Sequence, residues 1–180
     1  RIDYLLSFRL NLEDPVRNFD IPKSPDLRSS FMVVVRANNY KSIIAKPFAP
    51  NLGAEIYEVD LSKRISDEQF MEVHQALLDY QVLFFKNQKV IPPEVHVDFG
   101  KRFGELHKHP AAPTMSGHPE IFEIHATKNS KVANGEHWHS DVSCDEEPPL
   151  GTMLQIHILP ECGGDTMFNN MYSAYEALSV

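Results

Sequence analysis

The segment His137-Trp138-His139-Ser140-Asp141 sets two imidazoles and a carboxyl at alternate positions. On an extended strand, residues two apart share a face. His137, His139 and Asp141 would then point one way, and Trp138 and Ser140 the other. A neutral imidazole nitrogen beside a carboxylate oxygen offers two ligands to a divalent ion of intermediate hardness. A His-x-Asp tripeptide alone is most often a solvated polar strand end, so its surroundings decide its weight. Eight of the nine histidines fall between His96 and His157, and clustered imidazoles are seldom needed for packing. Phe103-Gly104-Glu105-Leu106-His107-Lys108-His109-Pro110 leaves a helix on an extended exit that sets His107 and His109 on one face. Gly163-Gly164-Asp165-Thr166 is a tight turn able to present a hydroxyl to a ligand. Alone, these last two segments read as a surface loop and a plain turn.

The elements that must position these groups follow from the hydrophobic pattern. Ser42–Ala45 and Glu55–Asp60 read as paired strands across a loop of Pro47, Pro50 and Gly53. Ser66 is an N-cap with Gln69 three residues on, a capping box, and Asp67 and Glu68 suit the positive end of the helix. Phe70, Val73, Leu77 and Tyr80 give that helix one buried face. Gln81–Phe85 is an apolar strand buried on both sides. Pro93 opens a second helix at its first position, lined by Val95, Phe99 and Phe103 and ended by Gly104. Ile121–Ala126 and Thr152–Leu159 read as strands, and Met171–Leu178 as a short helix. Residues 1–39 form an arm of unknown role, with a short strand at Phe31–Arg36, and residues 40–180 form the domain. Short strands after early helices predict an α+β fold with a sandwich or jelly-roll core.

Composition bounds the function. A 180-residue chain with 42% apolar and 23% charged residues is globular and of single-domain size. Lys and Arg number 17 against 25 Asp and Glu, a net charge of −8 that disfavours nucleic-acid binding. No apolar run is long enough for a membrane span. Cys144 and Cys162 cannot build a disulfide framework, so a reducing cytoplasm is expected. Their spacing makes no zinc site. The chain starts with Arg1 and shows no signal pattern, which reads as a trimmed start.

Taken in order, these segments resemble the taurine dioxygenase family of iron(II)- and 2-oxoglutarate-dependent oxygenases. The resemblance covers about residues 42–180. It is carried by Arg102–Pro110, Trp138-His139-Ser140-Asp141-Val142, Glu147-Pro148-Pro149, Gly163-Gly164-Asp165-Thr166 and Tyr175-Glu176-Ala177-Leu178-Ser179. It implies a double-stranded β-helix (jelly-roll) core with flanking helices, incomplete at the C-terminus. It implies that His139 and Asp141 are two members of a two-histidine, one-carboxylate triad holding Fe(II), which leaves three adjacent sites open. It further implies that Thr166 bonds the distal carboxylate of 2-oxoglutarate and that His109 contacts an anionic substrate group. Val142 would lie against the substrate. The implied reaction consumes 2-oxoglutarate and dioxygen, yields succinate and CO2, and hydroxylates the carbon beside a sulfonate, releasing sulfite and an aldehyde. The partner expected is a small acidic molecule, with no nucleic acid and no membrane; homo-oligomerisation is left open.

Departures from the pattern shape the expected substrate. Ala112 and Gly135 stand where the taurine enzyme has a tyrosine and an asparagine, and His137 is not the usual residue. Losing those polar contacts makes a sulfate ester or aryloxy carboxylate at least as fitting as taurine. The family's second metal histidine and its 2-oxoglutarate arginine fall beyond Val180. His157, the one histidine after Asp141, reads as structural or surface-exposed. The chain alone is therefore expected not to turn over, and the gene product to continue past Val180. Two rivals stand beside this reading. His137-x-His139-x-Asp141 partly matches the metal motif of metallo-β-lactamase-like hydrolases, but Val142 occupies the place of the next histidine. A truncated, non-catalytic jelly-roll binding domain is the other. The acidic run Asp145-Glu146-Glu147 reads as solvated surface.

Overall fold

The structure is a computed structural model. It describes residues 40–178 apart from 110–112, 128, 131–134 and 136, together with the backbone of one strand near the start of the chain. That strand, β1 (Ile2–Phe8), is followed among the described residues by β2 (Ile44–Pro47), β3 (Ala54–Tyr57), α1 (Asp67–Tyr80) and β4 (Val82–Gln88). Then come α2 (Pro93–Lys101), β5 (Thr114–Met115), β6 (His118–Phe122), β7 (Gly151–Gln155) and α3 (Met171–Glu176). A five-stranded mixed sheet runs β2-β3-β4-β1-β7, and β5 and β6 make a separate two-stranded ribbon. β3 and β4 are parallel, as they must be with α1 as the crossover between them. The remaining pairs in both sheets are antiparallel. No helix among the described residues is long and apolar enough to cross a membrane.

Helix α1 begins where its cap predicts. The Ser66 hydroxyl accepts from the Gln69 amide at 3.1 Å. Only half of the capping box forms, because the Gln69 side chain reaches across instead to the Ser42 and Glu58 carbonyls. Val73, Ala76 and Leu77 are buried, with Phe70 and Tyr80 packed against the same core. Gln81 ends the helix in a left-handed conformation and feeds β4, whose Val82, Leu83 and Phe85 are buried. Gly53, at φ +86°, donates its N–H to the Tyr80 carbonyl at 2.9 Å. A Cβ there would sit 3.2 Å from the Phe84 ring, so the turn needs glycine for conformation and for space.

Two polar groups tie α1 to its neighbours, the segment that leads into β2 and the end of α2. Glu72 accepts from the Lys41, Ser42 and Ile43 amides and the Ser42 hydroxyl, at 2.6–3.1 Å. Desolvation opposes its charge, but those donors outweigh it and hold its carboxyl below the ordinary value. Arg102, at the end of α2, donates to the Ile65 carbonyl and to Asp67 and lies 4.0 Å over the Phe70 ring. It thereby joins the C-terminal end of α2 to the N-terminal end of α1. Phe70, Phe99 and Phe103 pack edge to face beneath it.

Several expected boundaries move. The first two domain strands form, but at Ile44–Pro47 and Ala54–Tyr57. The strand expected at Ile121–Ala126 is His118–Phe122, after a turn at Gly117 with φ +83°. The strand expected at Thr152–Leu159 is Gly151–Gln155, and the last helix stops at Glu176. Ile2–Phe8, read in sequence as part of a featureless arm, is a strand between β4 and β7. The strand expected at Phe31–Arg36 lies outside the described residues.

Candidate metal centre

Strand β7 and the turn that precedes it build the site. The His137–Asp141 segment is not the strand its alternation predicts. His137 lies in a bend, Trp138–Ser140 have no regular structure, and Asp141 opens a turn through Cys144. Val142, at φ +47°, supplies the left-handed step of that turn. The side chains nevertheless converge: His139 Nε2 is 3.2 Å from Asp141 Oδ1. Both remain about half exposed, and neither is drawn into the core.

The proton inventory of this pair is informative. His139 Nδ1 lies 2.7 Å from the His137 carbonyl. A carbonyl can only accept, so Nδ1 carries the hydrogen and Nε2 of the neutral ring presents a lone pair. That lone pair faces a carboxylate oxygen, and two acceptors at this distance need a cation between them. The cation is either a proton or a metal ion. The His137 carbonyl, first, and the Asp141 carboxylate accordingly raise the His139 pKa above its ordinary value. A ring nitrogen anchored to a backbone carbonyl with the other turned toward a carboxylate is the usual arrangement of a metal-binding histidine. The 3.2 Å separation suits neighbouring positions on one divalent ion whose bonds to such donors are about 2.1 Å. One nitrogen and one oxygen donor fit a ferrous ion. Among the described residues, no group of three or more His, Cys, Asp or Glu side chains gathers for a metal.

Two further contacts shape the site. The Thr152 hydroxyl, from β7, donates to Asp141 Oδ2 at 2.8 Å. Sequence reasoning missed Thr152 because it lies 11 residues from Asp141 and in no motif. His107 Nε2 lies 3.4 Å from Asp145 Oδ2, which ties the exit from α2 to the turn that Asp141 begins. His109 is on the same exit, its ring 6.4 Å from that of His107 and stacked 5.8 Å from Phe122 of β6. Sequence had placed these two histidines together, and the rings do meet.

Thr166 is exposed in the irregular segment before α3. Gly163 and Gly164 both take positive φ, +76° and +75°, and a Cβ on Gly164 would lie 3.1 Å from Pro160. The far end of the segment is pinned: Phe168 meets the Phe84 ring edge-on, and the Asn170 amide donates to the Asn51 carbonyl at 2.7 Å. Gly135, at φ +89°, borders His139, and a Cβ there would lie 3.8 Å from His139 Cε1. A side chain at this position would therefore lie in van der Waals contact with the imidazole. Ala112 lies outside the described residues. His157 is exposed, and Cys144 and Cys162 are exposed free thiols.

The family model described as taurine catabolism dioxygenase TauD, TfdA family matches residues 45–180. The chain belongs to this family. It is 36% identical over 127 residues to an alkylsulfatase of Acinetobacter baylyi, covering 71% of this chain and 39% of that protein. It is 31% identical over 132 residues to an alpha-ketoglutarate-dependent sulfate ester dioxygenase of Pseudomonas putida, covering 73% and 43%. A crystal structure of a taurine dioxygenase from Burkholderia xenovorans superposes with a TM-score of 0.50 at 33% identity, covering 61% of this chain and 38% of that one. This TauD-family chain thus spans less than half the length of each of these relatives.

Proposed function

We propose that this chain is part of a 2-oxoglutarate-dependent dioxygenase that hydroxylates a small organic acid bearing a sulfonate, a sulfate ester or an aryloxy carboxylate. The observation that carries the reading is the His139–Asp141 pair, two lone-pair donors 3.2 Å apart with the histidine tautomer set by the His137 carbonyl. His139 Nε2 and Asp141 Oδ1 hold Fe(II). The ion, when bound with 2-oxoglutarate, supplies the activation of dioxygen. In balance, substrate C–H, 2-oxoglutarate and dioxygen become C–OH, succinate and CO2. Hydroxylation at the carbon bearing a sulfonate gives a product that collapses to sulfite and an aldehyde.

The chain's own residues do the positioning. Thr166 donates its hydroxyl to the distal carboxylate of 2-oxoglutarate. His109, kept in place by Phe122 on one side and His107 on the other, offers an imidazole N–H to the anionic end of the substrate. Val142 lines the substrate side of the turn. Gly135 sets no side chain against His139, which suits a substrate broader than an aminosulfonate. Names among the relatives support this range. They include an alkylsulfatase, a sulfate ester dioxygenase, sulfonate dioxygenases of two yeasts and a 2,4-dichlorophenoxyacetate dioxygenase. A double-stranded β-helix core and a cytoplasmic location belong to the same proposal.

The test is succinate release by the full-length protein with Fe(II), 2-oxoglutarate and a panel of sulfonates, sulfate esters and aryloxy acids. Substrate-stimulated succinate with at least one class is expected, and none in His139→Ala or Asp141→Ala. Turnover retained by either variant, or zinc-dependent hydrolysis in place of 2-oxoglutarate consumption, would overturn the reading.

A further inference from the structure

We propose that Thr152 is a positioning residue that makes Asp141 a one-oxygen metal ligand; this rests on the reading of His139 and Asp141 as the metal pair. Asp141 opens a turn on a half-exposed surface, where a carboxylate is free to rotate about its terminal bond. Left alone, it could offer a cation one oxygen or both. Here its oxygens have separate partners. Oδ2 accepts the Thr152 hydroxyl at 2.8 Å, while Oδ1 faces His139 Nε2 at 3.2 Å. A hydrogen bond to one oxygen fixes the carboxylate plane and lowers that oxygen's capacity to join the other in binding the same ion.

The consequence is a coordination count. A triad leaves three positions for a two-donor cosubstrate and dioxygen only if each protein ligand takes one. A carboxylate binding through both oxygens would occupy one of those three. The Thr152 hydroxyl prevents that, and the fold supplies it reliably. Thr152 lies in β7, in register with Ser7 of β1, so its backbone is set by the sheet and not by the turn it steadies.

The experiment uses cobalt(II) alone as probe, titrated into the full-length protein and followed by visible absorption. Thr152→Val keeps the shape and the β-branch but has no hydroxyl to donate, and Thr152→Ser restores one. Thr152→Val is expected to bind cobalt about tenfold more weakly, the low end of the effect of losing such a partner. It is also expected to absorb less per bound ion, as a second carboxylate oxygen raises the coordination number. Thr152→Ser should stay within about twofold of the parent. Parent-like affinity and absorption in Thr152→Val overturn the proposal, as does a Thr152→Ser no better than Thr152→Val. Failure of the parent itself to bind cobalt, or full binding by Asp141→Ala, sinks the metal pair first and this inference with it.

Discussion

Two stretches of this molecule are held together by different means. Among the described residues, every buried apolar side chain lies between Ile43 and Phe99, and from Lys101 to Leu178 none is buried. The second stretch carries the candidate site and leaves Trp138, Ile158, Met167 and Tyr175 at least two-thirds exposed. In the first, Val73, Ala76 and Leu77 of α1 and Phe99 of α2 share one buried cluster with Ala54, Ile56, Leu83 and Phe85 of β3 and β4, and apolar burial of about 25 cal/mol per Å² dominates. In the second, β7 is laddered to β1 and Phe168 meets Phe84, and the loops between are held by polar contacts: His107 with Asp145, Thr152 with Asp141, Asn170 with Asn51. The candidate site therefore sits on the part with least packing of its own, joined to the part with most through Asn170 on Asn51 and Phe168 on Phe84. Such segments open locally at lower free-energy cost than the core does.

The largest expected effect tests the core half of that comparison. Phe85 is fully buried, and Phe85→Ala should cost roughly 3–5 kcal/mol in chemical denaturation. His139→Ala, on the exposed half, should stay within about 0.5 kcal/mol of the parent while losing iron-dependent turnover. Equal losses from the two would dissolve the distinction.

A smaller effect lies where the halves meet. His96, in α2, has its pKa lowered to about 4, by burial first and by the positive charge of His157 second. A free imidazole titrates near 6.5, so between those values the unfolded chain takes a proton that the folded one refuses. Stability should be full above about pH 6.5 and fall by on the order of 2–3 kcal/mol as pH drops to about 4. His96→Phe should flatten that segment of a stability-against-pH curve. An unchanged slope would show that His96 is not the group responsible.

The smallest effect sharpens the site itself. Thr166→Val should weaken 2-oxoglutarate binding about tenfold, the worth of one hydrogen bond to a charged group, and leave substrate affinity nearly unchanged. Parallel isothermal titrations decide it: equal losses for both ligands would remove Thr166 from the cosubstrate's end of the site.

The two stretches also differ in how readable they are. Helix α1 was legible from Ser66 and the Phe70–Tyr80 periodicity, and α2 from Pro93, because caps and apolar spacing act within a few residues. Strand β4 showed itself by its unbroken apolar run. The candidate site residues stand out in sequence as a motif, but their setting does not. His137–Asp141 alternates like a strand, yet it has no partner edge and turns at Val142, since alternation describes a face and not the pairing a strand needs. Gln69 shows the same limit: its cap hydrogen bond formed, while its side chain was drawn to carbonyls 11 and 27 residues away.

What the sequence determined unaided were the local commitments: where helices begin, which face they bury, and that an imidazole and a carboxyl stand one residue apart in a TauD-family motif. Tertiary structure alone decided that Ile2–Phe8 enters the sheet between β4 and β7, that Thr152 reaches Asp141, and that His107 meets Asp145. The reason is range. A cap or an apolar stripe is settled by groups a turn apart, whereas these contacts join residues from 11 positions apart (Thr152 and Asp141) to the whole span from Tyr4 to Gln155, and only the folded sheet arranges their meeting.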